Sequence, residues 1–300
     1  MQSITPNLWF DGTAEEAVDR YIDIFDDATV QSVTRYDDAM AAASGQPVGS
    51  VLTIDFDLLG NPFVALNGGS HVQFTPAISF TVSCPSVAAV DDLWHDLSQD
   101  GEIRMPLDSY PFSDRYGWTD DAFGVSWQVI HSPSMPDWSI IPTLMFVDER
   151  AGQAEEAMEF YTDVFTDGTI GDIVHYGPGH EPNSPNSVMY GEFTIRDQRF
   201  SAMDSGIDHG FAFAESISFI VDCTEQSEID YYWKALTVDG GAPGQCGWLT
   251  DHFGISWQIV PRVLQPLLQD VDEEKAARVA DAMLAMEKLD IAGLEAAYAG

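Results

Sequence analysis

Two stretches of one design carry most of the residues able to do chemistry: Asp121-Ala122-Phe123-Gly124-Val125-Ser126-Trp127-Gln128 and Asp251-His252-Phe253-Gly254-Ile255-Ser256-Trp257-Gln258. Strand alternation sends Ser126 with Gln128, and Ser256 with Gln258, to one face, where a hydroxyl and a carboxamide can orient a ligand. Trp118 and Trp248 stand just upstream; an indole there either stacks on a flat ligand or serves the core or an interface. Asp121 and Asp251 read first as caps of the Phe-Gly turn and second as acid–base groups. His252 replaces Ala122 of the other stretch, which makes it a site candidate of the second stretch alone. Cys246, beside Gly247, reads as having no counterpart upstream and is the candidate reactive thiol, with simple packing as the alternative. Asn67 and Asp204 end matching strands before Gly69 and Gly206, where they place a polar group at a cleft mouth or make turns.

No other constellation competes. His175, His180 and Glu181 cluster around a Gly/Pro loop and read as solvated, and no serine sits in a nucleophile elbow. No glycine-rich loop closes a strand and opens a helix in an alternating βα pattern, so no nucleotide or S-adenosylmethionine motif is present.

The elements that position these residues are themselves repeated. Ile4-Thr5-Pro6-Asn7-Leu8-Trp9-Phe10 matches Ile140-Ile141-Pro142-Thr143-Leu144-Met145-Phe146, and Ala14-Glu15-Glu16-Ala17 recurs at Ala154-Glu155-Glu156-Ala157. Ile78-Ser79-Phe80 through Cys84 returns as Ile217-Ser218-Phe219 through Cys223. Each copy reads as strand, helix and three strands, twice over: four βαβββ units in an α+β fold. Thr13-Ala14-Glu15-Glu16 is expected to be a capping box. The first module spans residues 1–131, a linker 132–139, the second module 140–262 and a helical tail 263–300. In that tail Asp272 marks a helix start, and Val279, Ala282, Met283, Met286 and Leu289 form an apolar stripe expected to dock on the second module or on a partner subunit. The first module carries about nine extra residues around 104–115, read as a loop that can cover a site.

Paired βαβββ modules that end in Gly-Trp-x-x-Asp-x-Phe-Gly-x-Ser-Trp-Gln resemble the 3-demethylubiquinone-9 3-methyltransferase-like (PhnB-like) family of the vicinal-oxygen-chelate superfamily, alongside glyoxalases and bleomycin-resistance proteins. The resemblance covers residues 1–262, and the tail around Ala282-Met283-Leu284 is also similar to tandem members. It implies a ligand cleft at the end of each module and metal ligands on inward strand positions, which align with Pro6, Ala77 and Gln128, and with Pro142, Ser216 and Gln258. Only the glutamines among these can ligate, so no metal and no cofactor is expected. The reading is a metal-independent protein that binds a small molecule, an enzyme of unassigned substrate or else a sequestration module of the resistance type. Methyl transfer stands as a further alternative resting on the family name alone.

Composition bounds the partners. The 300 residues hold 49 acidic and 12 basic side chains, a formal charge of −37. Such a surface excludes nucleic acid and anionic membrane as partners. Asp outnumbers Glu 33 to 16 and Lys occurs only three times, the pattern either of a halophilic surface that stays hydrated in strong salt or of an acidic proteome outside high salt. Three cysteines and the lack of a leader or an apolar run of spanning length predict a cytoplasmic protein. A homodimer is the expected assembly.

Overall fold

The computed structural model describes residues 4–132 and 137–300, so part of the expected linker, 133–136, lies outside the described residues. The first unit comprises β1 (Ile4–Phe10), α1 (Ala14–Ile24), β2 (Ala28–Arg35), α2 (Asp38–Ser44), β3 (Val51–Leu58) and β4 (Asn61–Asn67). The second comprises β5 (Ile78–Cys84), α3 (Val87–Leu97), β6 (Glu102–Tyr110), β7 (Ser113–Asp120) and β8 (Ser126–His131). The third comprises β9 (Ser139–Phe146), α4 (Ala154–Val164), β10 (Thr169–His175), β11 (Val188–Ile195) and β12 (Gln198–Asp204). The fourth comprises β13 (Ile217–Cys223), α5 (Gln226–Leu236), β14 (Ala242–Pro243), β15 (Trp248–Thr250) and β16 (Ser256–Pro261). The tail follows as α6 (Leu264–Leu268), α7 (Glu273–Leu284) and α8 (Ile291–Ala299). The chain is therefore α+β, two tandem modules of two βαβββ units each with C-terminal helices. Helix α2 adds a turn between strands: Asp37 caps it by accepting from the Met40 N–H at 2.7 Å, and Gly45 ends it with φ of 75°.

The units pair across the modules. One eight-stranded sheet runs β14-β15-β16-β13-β1-β4-β3-β2, and the other β10-β11-β12-β9-β5-β8-β7-β6. Antiparallel β1 and β13 join the first unit to the fourth, with Pro6 opposite Phe219; β5 and β9 join the second to the third, with Phe80 opposite Pro142. Each sheet thus draws half its strands from each copy of the repeat. A cleft is consequently shared between modules and is not formed within either one.

The outer faces of the two sheets share one apolar core. Phe63 of β4 meets Phe80 of β5 edge-on at 5.1 Å, and Phe200 of β12 meets Phe219 of β13 at 5.2 Å. Helix α1 reaches both sheets through Tyr21, 6.3 Å from Phe56 and 5.5 Å from Trp127. Trp127 and Trp257 are fully buried there; truncating either to Ala costs about 3–5 kcal/mol by the usual large-to-small rule.

The expected capping box at α1 does not form. The Thr13 side chain makes no cap bond, and the Ala14 N–H donates instead to Asn67 Oδ1 at 3.0 Å. In the second module Asp204 Oδ1 accepts from Gly152 and Ala154, and its Oδ2 accepts from Val188 at 2.8 Å. A residue distant in sequence caps each first helix, which local spacing cannot reveal. The segment 104–115 is no free loop either. It is most of a hairpin, β6 on β7, that extends the second sheet.

Candidate functional site

The concave face of the β1-containing sheet holds an open cavity of about 1100 Å³, just above the usual upper end for metabolite sites. Alternation along β1 turns Ile4, Pro6, Leu8 and Phe10 to the core and Thr5, Asn7 and Trp9 to the cavity. The inward positions are therefore one residue later than the repeat alignment placed them: Asn7 in place of Pro6. Ala77 and Ser216 precede their strands, and Pro142 shares the core-facing parity of Ile140 and Leu144.

The floor is a set of neutral polar groups. Gln258 Nε2 donates to Ser218 Oγ at 3.0 Å and Asn7 Nδ2 donates to the same oxygen at 3.4 Å. Trp9 and Trp248 make one wall, edge-on at 5.6 Å, with the Trp9 indole N–H donating to the Gly69 carbonyl at 2.8 Å. A Cβ at Gly68 would lie 2.2 Å from the Trp9 ring, so glycine is required for that wall to stand. Asp55, Asp57, Asp222 and Arg262 line the cavity as well, with Ser32 Oγ donating to Asp55. Burial raises the Asp222 carboxyl above its usual range, against the pull of Arg262 and Arg196.

The tail is the roof. Leu264, Leu268, Met283 and Leu284 line the cavity opposite the sheet, and Met283 packs with the Tyr36, Met40 and Ala41 cluster at α2. Val279 and Leu289 are fully buried beside Leu264 and Leu294. The stripe docks on both modules of its own chain. The link between α7 and α8 also pins the turn bearing the candidate thiol: Cys246 and Gly247 donate their N–H groups to the Met286 and Glu287 carbonyls at 2.7 Å each.

The second sheet's cup is built to the same plan and filled. Tyr116 donates its O–H to Gln128 Oε1 at 2.8 Å, Gln128 Nε2 donates to Ser79 Oγ at 2.8 Å, and the Trp118 indole N–H donates to Ser126 Oγ at 2.7 Å. Tyr116, Trp118, Met145 and Val147 are buried together in that cup. Trp118 pairs with Gln128, and Trp248 with Gln258. Two residues earlier the chain has Tyr116 within β7 in one case and Cys246 in the turn before β15, at φ of 57°, in the other. The two match in spacing but not in backbone conformation, and Cys246 lines the cavity with a smaller side chain. Burial raises its thiol pKa, which disfavours the reactive thiolate.

The remaining candidates lie elsewhere. Asp251 Oδ1 accepts from the N–H groups of Phe253, Gly254 and Ile255, and Oδ2 from Tyr161 O–H at 2.7 Å and Trp257 Nε1 at 2.8 Å. Asp121 repeats this with Tyr21 and Trp127. Both carboxyls sit in the core, raised in pKa by burial, and hold turns whose Gly124 and Gly254 have φ of 91° and 97°. His252 lies against Phe160 of α4 at 4.6 Å, away from the cavity lining. Asn67 and Asp204 are used as helix caps. Of the sequence candidates, the cavity gathers Gln258, Trp248 and Cys246, with Ser256 on the same strand face as Gln258. Asn7, Ser218 and Trp9 escaped the sequence reading; the polar alternation of Thr5 and Asn7 before Trp9 was the available signal.

The model of the 3-demethylubiquinone-9 3-methyltransferase family matches residues 2–130 and 138–260. The chain belongs to that family. The PhnB protein of Bacillus cereus is 40% identical over 44% of this chain and all of its own length, with a TM-score of 0.40. A Staphylococcus aureus protein is 29% identical over 43% of this chain and 94% of its own, with a TM-score of 0.18. Glyoxalase I from Zea mays spans 85% of this chain and 92% of its own at 10% identity, with a TM-score of 0.55, a likeness of fold. No curated protein matches the chain. The vicinal-oxygen-chelate fold shared with glyoxalase I raises the question of a metal. Two amides and a hydroxyl bonded to one another, with no imidazole, thiolate or carboxylate in the set, do not fit a divalent ion. Among the described residues no three His, Cys, Asp or Glu side chains converge as a metal site, and no helix is long and apolar enough to cross a membrane.

Proposed function

We propose that this member of the 3-demethylubiquinone-9 3-methyltransferase family binds a small organic molecule, without a metal, in the cup shared by its first and fourth units. One observation carries the reading: the same plan is filled by Tyr116 in one cup and left as an open cavity in the other, where the residue of matching spacing, Cys246, is small and lies in a turn. The polar floor orients the ligand, the Trp9–Trp248 wall contacts its flat part, and the tail excludes water above it. The candidate acid–base groups Asp251 and His252 lie off the cavity, which supports holding the ligand over transforming it. An S-adenosylmethionine site of the glycine-loop kind requires a parallel doubly wound sheet, and neither sheet is one. A second reading, proton transfer, rests on Asp222, a cavity-lining carboxyl raised by burial.

A thermal-shift screen of apolar and aromatic metabolites tests the binding. Hits should stabilise the wild type and lose their effect in Cys246→Tyr, which sets a bulky ring against the cavity. Hits that stabilise both proteins equally place the ligand elsewhere and sink the proposal. A hit that is chemically converted by the wild type and not by Asp222→Asn turns the second reading into the main one.

A further inference from the structure

The filled cup displays what the open one is shaped to receive. In the second sheet, one aromatic ring bearing an O–H occupies the cup, and that O–H donates to the carboxamide oxygen of Gln128, whose NH2 is already given to Ser79. In the first sheet the carboxamide is turned the same way, Gln258 Nε2 to Ser218 Oγ; Gln258 lines the cavity, and its oxygen takes no hydrogen bond from the described residues. Cys246, which matches Tyr116 in spacing, lies in the turn before β15 at φ of 57° and supplies no such ring. The second hydrogen bond of the filled cup is missing too. Ser126 Oγ accepts from Trp118, whereas Ser256 Oγ, on a residue 1% exposed, has no partner, because Trp248 turns edge-on to Trp9 instead.

We infer that the ligand of the open cup is a hydroxylated aromatic compound, bound as a neutral phenol whose O–H donates to Gln258 Oε1 and whose ring lies by Trp9 and Trp248. This rests on the reading of the open cup as the binding site. The chemistry is selective for a donor. An acceptor such as an ether or carbonyl oxygen at that point faces the carboxamide oxygen, and a buried pair of acceptors leaves both unsatisfied. A phenolate is rejected for the same reason, since it offers no hydrogen. Met40 and Met283 at the roof accommodate rings of differing outline, because the thioether side chain is unbranched and flexible.

Isothermal titration with 2-naphthol and 2-methoxynaphthalene separates the possibilities, because the two differ in the donor and little else. The wild type should bind the naphthol at least about tenfold more tightly than its ether, the usual scale of one buried hydrogen bond. Gln258→Leu should bring the two within about twofold, and Gln258→Met serves if the leucine variant does not fold. Cys246→Tyr should abolish binding of both. Equal affinity of naphthol and ether for the wild type, or no binding of naphthol, overturns the phenol assignment, as does a preference that survives the loss of Gln258. Binding undiminished in Cys246→Tyr overturns the cavity reading itself.

Discussion

Tyr116 and Cys246 each stand two residues before the tryptophan that pairs with their cup's glutamine, Tyr116 within β7 and Cys246 in a turn at φ of 57°. Tyrosine closes its cup by giving Gln128 a hydrogen bond, and burial raises its phenol pKa well above the usual value. Tyr116→Phe keeps the ring and leaves the buried Gln128 oxygen unsatisfied. It should destabilise the chain by about 1–3 kcal/mol in chemical denaturation, while ligand binding in the other cup is unchanged. A stability equal to wild type would show that water replaces the phenol and that this cup is not sealed.

Asp121 and Asp251 should behave as twins. Each accepts from a tyrosine O–H, a tryptophan N–H and backbone N–H groups in the core. Asp251→Asn sets an amide NH2 or a weaker acceptor against those donors. The expected cost is about 2–4 kcal/mol, comparable for Asp121→Asn, with ligand affinity unaltered at a temperature where both variants are folded. Loss of binding with stability intact would return Asp251 to the list of site residues.

The tail should matter to both stability and binding. It buries Val279, Leu289 and Leu294, supplies the acceptors for the Cys246 and Gly247 N–H groups, and roofs the cavity. A chain ending after Arg262 should melt several degrees lower, about the shift that a few kcal/mol gives a chain of this size, and should bind no ligand. Retention of wild-type affinity in the shortened chain would show that the sheet alone makes the site.

Much of this was legible because the repeat is written in residues that build the core. Trp127 and Trp257, Tyr21 and Tyr161, Phe80 and Phe219 recur in order because both copies pack the same sheet-to-sheet contacts. The pairing of first unit with fourth was not legible, since β1 can add to β5 or to β13 with the same alternation, and no local pattern chooses between them. The site suffered from the same gap. Asn7 and Ser218 meet across that pairing, 211 residues apart, and Cys246 reaches the cavity from a turn that the tail holds through backbone hydrogen bonds. The Asp251 turn looked chemical because its residue types are; its environment, fully buried and saturated with donors, is a tertiary fact.

Acidity of the medium should stabilise the fold. Burial raises the carboxyl pKa values of Asp121, Asp204, Asp222 and Asp251 above the ordinary one. Between the ordinary value and the raised one, the folded chain holds protons that the unfolded chain has released. Stability is therefore full below the ordinary carboxylate value and falls as pH rises through the raised ones. Exposed Asp230 and Asp270 shift the other way, but in solvent, where screening blunts their effect. The melting temperature should rise as pH is lowered toward the ordinary carboxylate value of about 4, and a steady fall on that approach would contradict the assignment.

Salt should act in the same direction by another route. A formal charge of −37 repels itself most when the chain is compact, and most ion pairs among the described residues are partly exposed, Arg115 to Asp91 at 2.6 Å and Arg199 to Glu192 at 2.9 Å among them. Added salt screens the many unpaired carboxylates more than it weakens such pairs, because a Debye length of about 10 Å at 0.1 M shrinks to about 3 Å at 1 M. The melting temperature should climb with sodium chloride through the molar range. A temperature indifferent to salt would mean that the acidic surface is spaced widely enough to cost the folded state nothing, and the halophilic reading would fall.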